Sequence, residues 1–193
     1  MRAAIQIALA IMAFVFVTST PSRSFAVEQL TMPKFPTGWV EAFTRQGDQE
    51  MVEYVPPGQN ATNWDHKISL EIYHSFKNLP LDTLQRRAAQ QNREAFVGVE
   101  EGKFQSGVNN GFASAFWTLG CDRNKSTGLG EIRYTKVIQG TNELYVLSQI
   151  WHTPAYGGKQ GPSIPPQEIE GAMAFLTSSV VCDPDAKQST CPQ

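Results

Sequence analysis

The chain lacks the short motifs that announce a chemistry. It has three cysteines and no Cys-x-x-Cys, and no Cys/His spacing suited to zinc, so neither a redox dithiol nor a structural metal site is indicated. There is no His-Glu-x-x-His helix for a metalloprotease and no Gly-x-Ser-x-Gly nucleophile elbow. The glycine-rich pieces Gly107-Val108-Asn109-Asn110-Gly111 and Thr127-Gly128-Leu129-Gly130 lack the Lys-Ser/Thr of a phosphate loop and read as turns. Positive charge is scarce too. With 16 Lys and Arg against 18 Asp and Glu, the net charge is −2, which leaves no basic footprint for phosphates. No nucleic acid, cofactor or metal is expected as a partner.

One long apolar run is present, and it lies at the start. Arg2 precedes a nearly unbroken apolar stretch, Ala3 to Val17, and Ser24-Phe25-Ala26 places small residues where a signal peptidase reads them. A membrane span needs roughly 20 apolar residues; this run is shorter, is broken by Thr18, Ser19 and Pro21, and is followed by no second span. Residues 1–26 therefore read as a signal peptide cleaved near Ala26. The product is expected in the periplasm or outside the cell, with no membrane anchor. Its loss removes Arg2 and Arg23 and makes the mature chain two charges more acidic. Residues 27–182 suit a single domain, and residues 183–193 read as a frayed polar tail.

In an oxidising compartment two of Cys121, Cys182 and Cys191 should pair. The expected bridge is Cys121 to Cys182, tying the last helix to a strand and closing a loop of about 60 residues, worth about 4 kcal/mol on the chain-entropy account. The rival is Cys182 to Cys191, which leaves Cys121 as the odd thiol.

Hydrophobic periodicity alternates between two and 3.6. Trp39 to Arg45 and Glu50 to Val55 read as a hairpin, and Pro56-Pro57-Gly58-Gln59-Asn60 must be a loop. His66 to Phe76 alternates cleanly, with Ile68, Leu70 and Ile72 on one face. Asp82 is the candidate N-cap of a helix with Leu84, Ala88 and Ala95 inward and Gln85 toward water. A meander follows at Phe112 to Leu119, Glu131 to Gln139 and Leu144 to His152. A closing helix then starts at Pro165-Pro166, with Ile169, Met173 and Leu176 on its inner face. This order predicts an α+β domain, an antiparallel β-sheet with helices packed on it.

Several short segments carry a resemblance. Glu53-Tyr54-Val55-Pro56-Pro57-Gly58-Gln59 with Asn63-Trp64, Gly120-Cys121 with Thr127-Gly128 and Glu131, Lys136-Val137-Ile138-Gln139-Gly140, Tyr145-Val146-Leu147 and Val181-Cys182-Asp183 resemble a family of small exported bacterial proteins of unknown function. The element order is also similar to the Mog1/PsbP-like α/β/α sandwich. The resemblance implies an accessory or binding role and transfers no catalytic residue.

The candidate site residues come from loops. Tyr54, Pro56, Pro57 and Trp64, facing the loop from Tyr156 to Pro166, form an expected rim for a small apolar ligand or a protein partner. The alternatives are an enzyme that uses His66, His74 or Cys121, and an inhibitor or host or envelope interaction factor. His66 and His74 flank one strand face about 27 Å apart, too far to share a metal; His152, after Trp151, is the third histidine. Intact mass spectrometry of the exported product should show a chain beginning at Val27; a chain retaining residues 1–26 would overturn the signal-peptide reading.

Overall fold

The computed structural model describes residues 28–76, 79–157, 161–184 and 189–192; the expected signal peptide lies outside them. The described chain contains strands β1 (Gln29–Thr31), β2 (Val40–Arg45), β3 (Gln49–Val55), β4 (His66–Tyr73), helix α1 (Leu81–Ala95), then β5 (Val99–Glu101), β6 (Gln105–Asn109), β7 (Phe112–Cys121), β8 (Gly130–Gln139), β9 (Leu144–Thr153), helix α2 (Pro166–Ser178) and β10 (Val180–Cys182). Eight strands form one antiparallel sheet in the order β2-β3-β4-β9-β8-β7-β5, with β6 also paired to β7; β1 and β10 form a separate two-stranded ribbon. The α+β reading holds.

Alternation along each strand sends side chains to two faces, and a helix covers each. One core joins Ile68, Leu147, Tyr145 and Ile138 to Phe175 and Leu176 of α2. The other joins Ala115, Trp117, Leu119 and Val137 to Ala89 of α1. The result is an α/β/α sandwich. Pairing of β4 with β9, from His66↔Trp151 to Tyr73↔Leu144, joins the early hairpin to the later meander.

Several local expectations are corrected. Helix α1 begins at Leu81 with Pro80 at its cap and no side-chain cap; Asp82 instead pairs with Arg86 one turn on, at 2.9 Å. Gln85 does not face water: it is buried, and its amide donates to the Gly102 carbonyl at 2.7 Å, so a polar residue on the inner stripe is satisfied by a neighbouring loop. Gly107, Val108 and Asn109 belong to strand β6; the turn is Asn110-Gly111, both at positive φ, as a two-residue hairpin requires. On α2 the buried residues are Ala172, Phe175 and Leu176, a rotation away from Ile169 and Met173.

The disulfide expectation is also overturned. Cys182 pairs with Cys191, and Cys121 is a free, buried thiol. Cys121 shares the face of Trp117 and Leu119, under α1, whereas Cys182 follows Val181 of the α2 core, so the sheet lies between them. Within the described part of the tail, the bridge holds Cys191 against β10: Asp183 N–H donates to Ser189 O at 2.8 Å, and the Asn110 amide donates to Val181 O at 2.8 Å.

Two charged side chains lock distant segments. The Glu28 carboxylate accepts backbone N–H groups of Thr141, Asn142 and Glu143 in the β8–β9 turn at 2.5, 3.2 and 3.0 Å, and a side chain at Gly140 would strike it. Helix α2 has no basic residue in its last turn. Lys136 of β8 supplies one: its ammonium donates to the carbonyls of Leu176, Thr177 and Ser179 at 2.8, 3.2 and 2.7 Å. Burial pushes its pKa down to about 8, so it stays mainly charged at neutral pH. Lys136→Met should lower the unfolding free energy by about 2 kcal/mol or more, because three helix-end carbonyls lose a charged donor; Lys136→Arg should lose less. Unchanged denaturant unfolding of the methionine variant would contradict the clamp.

Candidate functional site

The rim of α2 stands over a cleft. Its floor is His66, Ile68 and Gln149 of the sheet, its roof is Glu168, Ala172, Ala174 and Phe175, and Pro33, Lys34, Pro36 and Trp39 of the N-terminal segment close one side; the space is about 490 Å³. The segment from Met32 to Trp39 reaches this position because Leu30, Met32 and Phe35 pack on the α2 core. Phe35 stacks on Tyr54 at 4.1 Å between ring centroids and meets Phe175 at 5.7 Å.

A second chamber of about 430 Å³ adjoins it. Pro56, Gln59 and Asp65 come from the β3–β4 loop, Trp151 and His152 from β9, and Ser163, Ile164 and Pro165 from the loop before α2. His66 and Glu168 border both spaces. The first chamber is mainly apolar and the second is polar, so the pair of residues marks the change of chemistry.

Aromatic rings hold this junction. His66 lies against Trp151 at 4.3 Å and meets Trp39 edge-on at 4.9 Å, while Tyr134 meets Trp151 edge-on at 5.6 Å. His66 and Trp151 meet because they are directly opposed in the β4–β9 ladder. The Trp151 indole N–H donates to Glu168 at 3.0 Å, fixing α2's first turn to the sheet. His66 Nε2 lies 2.8 Å from the Gln149 side-chain oxygen, which assigns the proton to Nε2. Burial pushes the His66 pKa down, opposed by the Gln149 hydrogen bond and by the charges of Glu168 and Asp65. His66 is thus a neutral hydrogen-bonding wall whose partner is an amide and not a nucleophile.

The five loop residues singled out from the sequence separate. Pro56 borders the polar chamber, together with residues 163–165 of the loop it was expected to face. Tyr54 is taken into the core by Phe35. Pro57 is exposed and lies close to Gly38. Trp64 stacks on His152 at 3.5 Å, with the Lys67 ammonium 4.4 Å over its ring. Tyr156 donates to the Glu131 carbonyl at 3.0 Å and borders a different, smaller cavity of about 190 Å³ with Gly120 and Pro162. His74 stands apart, between Glu50 at 3.0 Å and Glu143 at 2.8 Å. Cys121 is 1% exposed, and burial pushes its thiol up to about 12, so it is not a ready nucleophile. Sequence reasoning missed Glu168, Gln149 and the Pro33–Pro36 wall; the buried parity of Gln149 beside Trp151 was the available signal.

No protein-family profile and no curated protein matches the chain. Among solved structures, the Ran-binding protein Mog1p of Saccharomyces cerevisiae is similar at 13% identity and TM-score 0.44, over 78% of this chain and 84% of that one. A Mog1 point mutant is similar at 13% identity and TM-score 0.45, over 76% and 78% of the two chains. LpqN of Mycobacterium tuberculosis, described as involved in cell envelope biogenesis, is similar at 10% identity and TM-score 0.37, over 83% and 87%. The layering described above rests on this chain's own geometry.

The histidines report their surroundings with opposite signs. Burial lowers the His66 pKa, whereas the hydrogen bonds that the His74 ring donates to Glu143 and Glu50 raise that of His74. His66 therefore favours folding above about pH 6.5 and loses that contribution as the pH falls; His74 contributes fully below about pH 6.5 and loses it as the pH rises through its folded value. In a side-chain NMR titration His66 should titrate below His74; the reverse order would refute the assigned environments.

Proposed function

We propose that this protein is an exported binding module that holds a small, mainly apolar ligand between α2 and the sheet. The observation that carries the reading is the cleft of about 490 Å³, within the range of small-molecule sites, walled by Trp39, Ile68 and Phe175 and ending at His66 and Glu168. An apolar body would fill the first chamber. A polar end bearing a hydrogen-bond donor would pass His66 toward the carboxylates of Glu168 and Asp65.

Export is supported by the signal-like start of the sequence and by the Cys182–Cys191 bridge, which suits an oxidising compartment. Among the described residues no helix is long and apolar enough to cross a membrane. The thiol route to catalysis is disfavoured by the burial of Cys121.

N-phenyl-1-naphthylamine, a neutral probe that brightens in apolar surroundings, tests the reading. It should bind wild-type protein saturably. Ala174 is exposed on the roof, so Ala174→Trp should fill the cleft without disturbing the core and weaken binding roughly tenfold or more. Equal binding by both proteins, or none by either, would sink the proposal.

A further inference from the structure

A separate cavity of about 300 Å³ lies on the other face of the sheet, at the edge of α1. Trp117, Arg133 and Glu71 rise from its floor, and Leu84, Arg87 and Gln91 of α1 form its opposite wall. Two donors beside it have no acceptor among the described residues: the indole Nε1 of Trp117, a residue 2% exposed, and Nε of Arg133. Trp117 is directly opposite Thr135, two residues from Arg133 on β8, so the two side chains are diagonal neighbours on one sheet face. Buried donors without acceptors are costly, and two side by side mark a place where an acceptor is missing.

The neighbouring acceptors have other partners, and none of them takes the Trp117 or Arg133 Nε donor. Thr135 and Ser148 hydroxyls bond to each other at 3.0 Å. Glu131 takes Arg133 Nη2 at 3.1 Å, and one oxygen of Glu71 takes both the Gln49 amide and the Tyr73 hydroxyl, each at 2.7 Å. Two guanidiniums, Arg87 and Arg133, balance the carboxylates Glu71 and Glu131, so an entering anion meets no net repulsion. A guanidinium edge next to an indole N–H suits a planar carboxylate, and Phe76, Leu84 and Val146 offer an apolar wall.

We propose that this cavity binds a small carboxylate with an apolar body, at a site distinct from the α2 cleft. Both donors are out of solvent contact, and the exposed side chains of Arg87 and Gln91 on the cavity wall leave the carboxylate a path to them from the α1 edge. Glu71, facing the same space, selects against a second negative group on the ligand.

Benzoate is the probe, with benzyl alcohol and benzylamine as neutral and cationic controls, and the indole N–H signals of ¹⁵N-labelled protein are the readout, assigned through Trp117→Phe. Benzoate should shift the Trp117 signal saturably and leave those of Trp39 and Trp151 in place. Benzyl alcohol and benzylamine should not shift it, and Arg133→Leu, with its remaining spectrum intact, should lose the response at least tenfold. An unmoved Trp117 signal, an equal shift with benzylamine, or a shift confined to Trp39 and Trp151 would overturn the proposal.

Discussion

The arrangement depends on one buried ammonium. Helix α2 ends without a basic residue of its own, and Lys136, rising from the middle of β8, gathers three of its terminal carbonyls. This is the helix-dipole pairing of a C-terminal cation, supplied from the sheet instead of from the helix. At the other end of α2, Glu168 accepts the Trp151 indole N–H. With both ends tied to neighbouring strands, the helix stands as a fixed roof, and the space beneath its edge is a property of the fold. Phe175 and Leu176 fill the contact between the ties, each worth about 2 kcal/mol of apolar burial at most.

The sheet divides the molecule into two chemically different halves. The α2 face carries the aromatic junction of Trp39, His66 and Trp151 and an apolar cleft. The α1 face carries charged and hydroxyl groups, Glu71, Arg133, Thr135 and Ser148, around a smaller space. Period-two alternation builds this difference directly: on β8, Tyr134 and Lys136 point one way and Arg133 and Thr135 the other. The same separation explains the cysteines, because a bridge from Cys121 to Cys182 would have to pass through the sheet.

Much of this was legible in the residues. Clean alternation at Ile68, Leu70 and Ile72 and the proline pair at 165–166 marked strand β4 and the start of α2, although β4 stops at Tyr73 and not at Phe76, the chain turning at Ser75 with positive φ. Long meander strands were found because local pattern and tertiary burial agree there. Gln85 was misplaced because its amide finds a carbonyl seventeen residues away, which helix periodicity does not encode. Strand β6 was missed because Gln105–Asn109 is a mostly exposed edge, with no buried face to write into the sequence. The site was harder still. His66 was visible as a polar residue at the rim of an apolar face, but Glu168 and Pro33–Pro36 reach it only through long-range packing. Tyr54 was drawn into the core by Phe35, a partner nineteen residues earlier and outside any expected element.

A ligand site beneath α2 and a packing remnant there differ in whether an apolar molecule enters with the helix in place. The most direct measurement is a crystal structure of the protein soaked with N-phenyl-1-naphthylamine. A ligand site gives electron density for the aromatic probe between Trp39, His66 and Phe175, with α2 and the Lys136 contacts unmoved. Density for the probe elsewhere on the surface with this cleft empty, or a helix displaced from Lys136 to admit it, would show that the space is a packing remnant.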